Sequence, residues 1–323
     1  DAAIDDARLE EVVGDLASPA QSYCRHALRI QRPLAAAIHD PVAPFDPTAV
    51  DRALLDRALS PIWRGESDID SLADLVLDAP WAPAGVGEGL MSEELRNSVA
   101  GALAARSALL DALGIADGAG ESRIVRWGDA DAGIVGRLEG IHDDRVQLLV
   151  NAFGAHPRAL VDAWLRHVLW IASDGRAADE AMTILVHRDD GQWRATRVGV
   201  ERQGIARAGP AESVRHALAW SRRIREEALP LFPRAICAVM AQGGKPEPFE
   251  ESRALRKLEE ELAKGKPWSD TESGAFAYEI LWRAGLPDAE EVLAAGLAAY
   301  RPIFGAIGRS MTLGDMCKAL RRP

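Results

Sequence analysis

The chain has 323 residues, 48% of them hydrophobic, and a net charge of −11. That length and apolar content support one large domain or two modest ones with real cores, and exclude wholesale disorder. They also exclude a helical membrane anchor, because no run of about 18 uncharged apolar residues occurs, and Cys24, Cys237 and Cys317, scattered and with no C-x-x-C pair, fit neither a disulfide framework nor a cysteine metal site.

The opening DAAIDDARLEE is acidic where a secretory leader would be basic and then apolar, so a cytoplasmic protein with no membrane contact is expected. Asp1 in place of an initiating Met is expected of a piece of a longer protein. The negative charge is unevenly spread. Residues 1–120 hold 9 Arg and no Lys against 20 acidic groups, whereas the remaining 203 residues balance at 29 against 29. Residues 194–234 carry nine Arg against four Glu, so basic surface is compatible with the acidic total.

Residues 7–16 place Leu9, Val12, Val13 and Leu16 on one helical face. Ser18-Pro19 supplies an N-cap and a first-turn proline for a helix to about Leu28. Beyond a Pro-rich connector, residues 50–63 and 69–77 have helical periods, and a Gly/Pro connector at 79–89 precedes a long helix over 93–113. Residues 1–120 thus read as an all-helical subdomain. At Ser122 the period changes. Strands are expected over 122–127, 134–141 and 145–151, the last two joined by a His-Asp-Asp turn. A helix over 159–171 follows, then a second hairpin, 182–187 and 193–200, around Arg188-Asp-Asp-Gly191. Helices resume at 211–229, 250–264, 274–282 and 288–307. Residues 121–323 therefore read as an α/β core, a mixed sheet flanked by helices.

Several segments in this order resemble the C-terminal region of RecC, the gamma subunit of exodeoxyribonuclease V. They are Leu9-x-x-Val12 through Ser18-Pro19, Tyr23 and Arg29-Ile30; Ala82-Pro83-Ala84-Gly85-Val86-Gly87; and Ala163-Trp164-Leu165-Arg166-His167-Val168 with Ala172-Ser173-Asp174-Gly175. Glu227 to Pro233, Ile280-Leu281-Trp282-Arg283 and Tyr300-Arg301-Pro302-Ile303-Phe304 complete the series. The resemblance implies a restriction-endonuclease-like fold of the PD-(D/E)xK type. It places the chain in a bacterial helicase–nuclease that repairs double-strand breaks by recombination, with DNA (a duplex end or single strands) and RecB-like and RecD-like subunits as partners. The complex is an ATP-dependent exonuclease and helicase, and its helicase-like portions would lie upstream of this chain.

An active enzyme of that fold holds Mg²⁺ on hard oxygen ligands. One carboxylate ends a Gly-x-x-Asp pattern, and the next strand supplies Asp or Glu, one residue, then Lys. Gly136-Arg137-Leu138-Glu139 matches the first half with Glu. The second half fails, because aligning Leu148-Leu149 with the hydrophobic lead puts Val150 at the carboxylate position and Ala152 at the lysine. A slip toward Asp143 or Asp144 offers no lysine two residues later. The expectation is a degenerate site at Glu139, Val150 and Ala152 with no catalytic residue, metal or cofactor. The alternatives are an active Mg-dependent nuclease using Glu139, or a purely protein-binding module whose interface is the acidic helical block.

Other chemistries find no motif. The histidines lack H-E-x-x-H spacing, Ser173 and Ser221 lack a Gly-x-Ser-x-Gly elbow, and neither Gly133-Ile-Val-Gly136 nor Gly85-Val-Gly87-Glu-Gly89 is a phosphate loop. His167 reads as a satisfied core or surface histidine, or as a relic of the site. Binding is expected of the 211–229 helix, where Arg215, Arg222 and Arg223 share a face and could contact phosphates. The same stripe could equally be a solvated face paired with Glu212, Glu226 and Glu227. Trp127, Trp193, Trp220 and Trp268 would stack on bases if exposed.

Overall fold

A computed structural model describes residues 6–30, 59–71, 86–129, 132–152, 154–175, 180–199, 209–240, 250–263, 277–278 and 280–321, with side chains of 86–92 excepted. Chain order begins with β1 (Ala7–Arg8), α1 (Leu9–Ala17) and α2 (Pro19–His26), followed by a helical turn at 59–63 and a 3₁₀ turn at Ile69–Ser71. Next come α3 (Val86–Leu113), β2 (Glu121–Gly128), β3 (Gly133–His142), β4 (Val146–Asn151) and α4 (Pro157–Asp174). The chain continues through β5 (Met182–Asp189), β6 (Gln192–Val198), α5 (Pro210–Glu226), α6 (Pro233–Met240), α7 (Glu251–Ala263), α8 (Ala289–Phe304), β7 (Met311–Thr312) and α9 (Leu313–Leu320).

The fold is mixed α/β. Seven strands form one mixed sheet in the order β1-β3-β4-β5-β6-β7, with β2 also paired to β3. β4 and β5 run parallel from Val146–Met182 to Asn151–His187, and the connection that parallel neighbours require is α4. The other hairpin turns tightly at Asp190 and Gly191, whose φ values of 47° and 77° suit the right-handed twist of the flanking strands. α4 starts at Pro157 behind His156, which accepts from the Ala159 N–H, and stops at left-handed Gly175.

Both faces of the sheet are covered. One core joins α1, α2, β3 and α4 to α5–α8 around Leu9, Trp164, Trp170, Phe232 and Tyr300. The other joins the 59–63 turn, α3, β4, β5, β6 and α9 around Trp63, Leu109, Leu148 and Val186. Burial on both faces is why β5 reads as a continuous apolar run, Ile184-Leu185-Val186, rather than alternating. Residues on either side of position 120 contribute to both cores.

The structure corrects several sequence expectations. Ala7–Arg8 is a strand, parallel to Ile134–Val135 of β3, so the first helix begins at Leu9. Ser18 occupies an N-cap position, yet its side chain makes no capping bond, its hydrogen-bonding backbone N–H going instead to Gly14 O. The connector expected over 79–89 is already helical from Val86. Residues 50–58, 72–77, 264, 274–276 and 279 of the expected helices, residue 200 of the expected second hairpin, and Trp268 lie outside the described residues. α6, β7 and α9 were not anticipated.

Candidate functional site: a split sheet lined by arginines

β3 is paired along one edge by β2, from Gly128–Gly133 to Glu121–Ile141, with a register shift between Glu121 and Arg123. Along its other edge it pairs with β1 only at Ile134–Val135 and with β4 only at Ile141 and His142. Between those contacts the sheet opens. The backbone groups released by the opening cannot be left bare in a buried setting. Side chains satisfy them: Arg166 donates to Arg137 O at 2.5 Å, Gln147 Nε2 to Glu139 O at 3.1 Å, and Trp63 Nε1 to Leu148 O at 3.2 Å. Two glycines fit β3 into this geometry. Gly136 lets β3 lie on α1, since a Cβ there would come within 2.6 Å of Leu9 Cβ. Gly140, at φ 67°, bends the strand where a Cβ would clash with Leu148 O.

The opening holds a cleft of about 340 Å³ whose walls include Glu10, Ser60, Arg64, Glu139, Val150 and Asn151, with His156, Arg158, Asp162 and Arg166 from α4 and the turn before it. Glu139 points into it from β3, held by Arg64 Nη1 and Arg137 Nε, each at 3.5 Å. Arg64 also donates to Ser60 Oγ at 2.8 Å and Glu66 at 2.7 Å, and that donation holds the exposed Glu66 carboxyl below its usual range. Arg166 pairs with Asp162 at 2.9 Å and lies 3.9 Å from Glu10. Burial alone would disfavour its charge, but Asp162, Glu139 and Glu10 outweigh that, so its pKa is raised.

Of the expected site residues, Glu139 and Val150 share the cleft, whereas Ala152 does not line it and is buried in the core on the α3 side. Asp143 and Asp144 form the β3–β4 turn with φ of 48° and 53°, and Asp144 is tied to Arg123 at 2.8 Å. Among the described residues no group of three or more His, Cys, Asp or Glu is arranged to hold a metal ion. His167 is a core residue whose Nδ1 meets Thr183 Oγ1 at 3.0 Å, and Thr183 donates on to Gln147. Ser221 is buried and donates to Asp15 at 2.6 Å.

Arg215, Arg222 and Arg223 are exposed on the outer face of α5, outside the cleft. Arg215 pairs with Asp129 at 2.6 Å and lies 5.5 Å over the Trp127 ring. Arg223 pairs with Glu227 at 3.0 Å and lies 5.1 Å over Trp220. Trp127, Trp193 and Trp220 are each half-buried. Arg225, on the same helix, turns inward to Asp15 and Glu11.

Sequence reasoning missed Arg64, Arg158, Asp162 and Glu10 as members of the site. Residues 158, 162 and 166 do carry a signal, because spacings of four put them on one face of α4. Arg64 carries none, since it arrives from a segment 75 positions before Glu139.

Among the described residues no helix is long and apolar enough to cross a membrane. A search of curated proteins finds no match. The family comparison finds one: the RecC C-terminal domain, over residues 4–244. The segments 280–283 and 300–304 that resembled the same family lie beyond the matched region. With some three-quarters of its length matched, including β3, β4, α4 and every residue of the cleft, the chain belongs to the RecC C-terminal domain family.

Proposed function

We propose that this chain is a non-catalytic, DNA-associated scaffold domain of a bacterial helicase–nuclease of the exodeoxyribonuclease V type, acting in double-strand-break repair and recombination. Family membership implies a RecBCD-type complex working on DNA. The finer reading is that the split sheet derives from a PD-(D/E)xK nuclease core. RecB-like and RecD-like subunits are the expected partners, and the cytoplasm the expected location.

The observation that carries this reading is the occupancy of the cleft by guanidinium groups. Where a nuclease needs clustered oxygen ligands and a lysine, β4 offers the hydrocarbon of Val150, and Ala152 is turned into the core. The remaining carboxylate, Glu139, is neutralised by Arg64 and Arg137 rather than left available to a cation. Binding then falls to surface such as Arg215, Arg222 and Arg223, whose charges would meet phosphates without reading sequence. The test is a nuclease assay with Mg²⁺ or Mn²⁺ on linear duplex and on single strands. No cleavage above background is expected; cleavage abolished by Glu139→Ala would overturn the reading in favour of a Mg-dependent nuclease.

A further inference from the structure

The cleft retains a cation that its own carboxylates do not use. On the α4 wall, Asp162 is taken by Arg166, and on the β3 wall Glu139 is taken by Arg64 and Arg137. Arg158, one turn before Asp162 on the same stripe, is exposed at the edge of the cleft and has no hydrogen-bond or ion-pair partner among the described residues. Arg64 presents a second unused donor, because its Nε is buried without a hydrogen-bond partner. Asn151 and His156, hydrogen-bond range apart at 3.3 Å, add polar atoms beside Arg158. A buried donor with no acceptor is costly and marks a place where an acceptor belongs. Arg64 Nε is one such donor, and together with the exposed, unpartnered Arg158 on the same cleft it calls for an anion with several oxygens.

We propose that this cleft is a metal-independent phosphate subsite that seats one phosphodiester of a nucleic acid single strand against Arg158 and Arg64. With Glu139 held by Arg64 and Arg137 in place of a divalent ion, the phosphate is held by guanidinium groups and its bond is left intact. The inference rests on the DNA-associated reading above and goes further, since it assigns a second contact separate from the α5 stripe.

The test uses the 323-residue chain and a fluorescently labelled oligothymidylate, titrated by polarisation across a salt series, once with EDTA and once with MgCl₂. Arg158→Glu is the key variant. Arg158 is exposed at the second position of a helix, where an acidic residue favours the helix dipole, so the variant should fold. The expected result is affinity at least about tenfold weaker, with a salt slope shallower by roughly one, equal in EDTA and Mg²⁺. Arg64→Gln should weaken binding in the same way, with unfolding monitored in parallel. Unchanged affinity and slope in Arg158→Glu, while Arg215→Ala/Arg222→Ala/Arg223→Ala loses binding, overturns the subsite but leaves the scaffold reading standing. Binding that appears only with Mg²⁺ overturns the metal-independent claim. Absence of salt-dependent binding by the unmodified chain overturns both.

Discussion

Asp15 is the most informative residue to perturb, because one buried carboxylate holds three helices in place. It is 4% exposed, and it accepts from Ser22 of α2, from Ser221 of α5 at 2.6 Å, and from Arg225 of α5 at 2.7 Å. Asp15→Ala removes the acceptor and keeps the donors. Two hydroxyl bonds are worth about 1 kcal/mol each, and a charged bond about 1.5–3 kcal/mol. The charged share is discounted toward its lower end, because Arg225 is 28% exposed and keeps Glu11 at 3.3 Å. A loss of about 3.5 kcal/mol is expected. Asp15→Asn retains the shape and two oxygen-directed bonds, and should cost about half as much. Urea unfolding followed by circular dichroism would measure both, with the midpoint shifting at constant slope. A double-mutant cycle with Arg225→Gln should return a coupling above about 0.5 kcal/mol. A loss under about 1 kcal/mol for Asp15→Ala, or no coupling to Arg225, would refute the argument that this network ties α1 and α2 to α5.

Further outcomes follow from the same geometry. Gly140→Ala combines a φ of 67° with a clash against Leu148 O, and should cost at least about 2 kcal/mol in thermal or urea unfolding; Gly114→Ala, at φ 69° with open space around it, should cost about half that. His187 is buried beside Thr196 and Ser310, and burial pushes its pKa down to about 4. Its folded pKa thus lies below the unfolded value near 6.5, so the unfolded state binds the extra proton between those limits. Stability should fall as pH drops from about 6.5 to 4, by up to about 3 kcal/mol, and the share due to this residue should vanish in His187→Gln. On α5, alanine at Arg215, Arg222 or Arg223 should each lower the salt slope of DNA binding by up to about one, with duplex and single-strand probes distinguishing which substrate meets the stripe.

Much of the architecture was legible because it is written in local periodicity. The 9, 12, 13, 16 spacing became the buried face of α1, and the apolar run from Leu160 to Leu169 became α4. Asp190-Gly191 specified its hairpin through positive φ, a purely local demand. What escaped were features fixed by distant partners. Ala7–Arg8 is too short to show a period and is a strand only because β3 lies beside it. α6 is eight residues long, and its Ile236 is packed against Gly296 of α8.

The site was legible to the same extent. Glu139 and Val150 could be aligned from the sequence, and they do meet at one cleft. Ala152 was placed on the same strand by counting, but β4 ends at Asn151, and the residue beyond turns into the core. Glycine in the Gly136-x-x-Glu139 pattern reads as a motif position, yet the contact it permits is with Leu9, a packing requirement that pattern matching does not reveal. The Arg64–Glu139 pair was invisible, because Arg64 reaches Glu139 only through the tertiary fold.

The direct test of the central claim is manganese itself. Crystals soaked in MnCl₂ and measured at the manganese edge should show no anomalous density between Glu139, Val150 and Asp162, with the Arg64 guanidinium still seated on Glu139. A peak there, coordinated by Glu139 and displacing Arg64, would contradict the account.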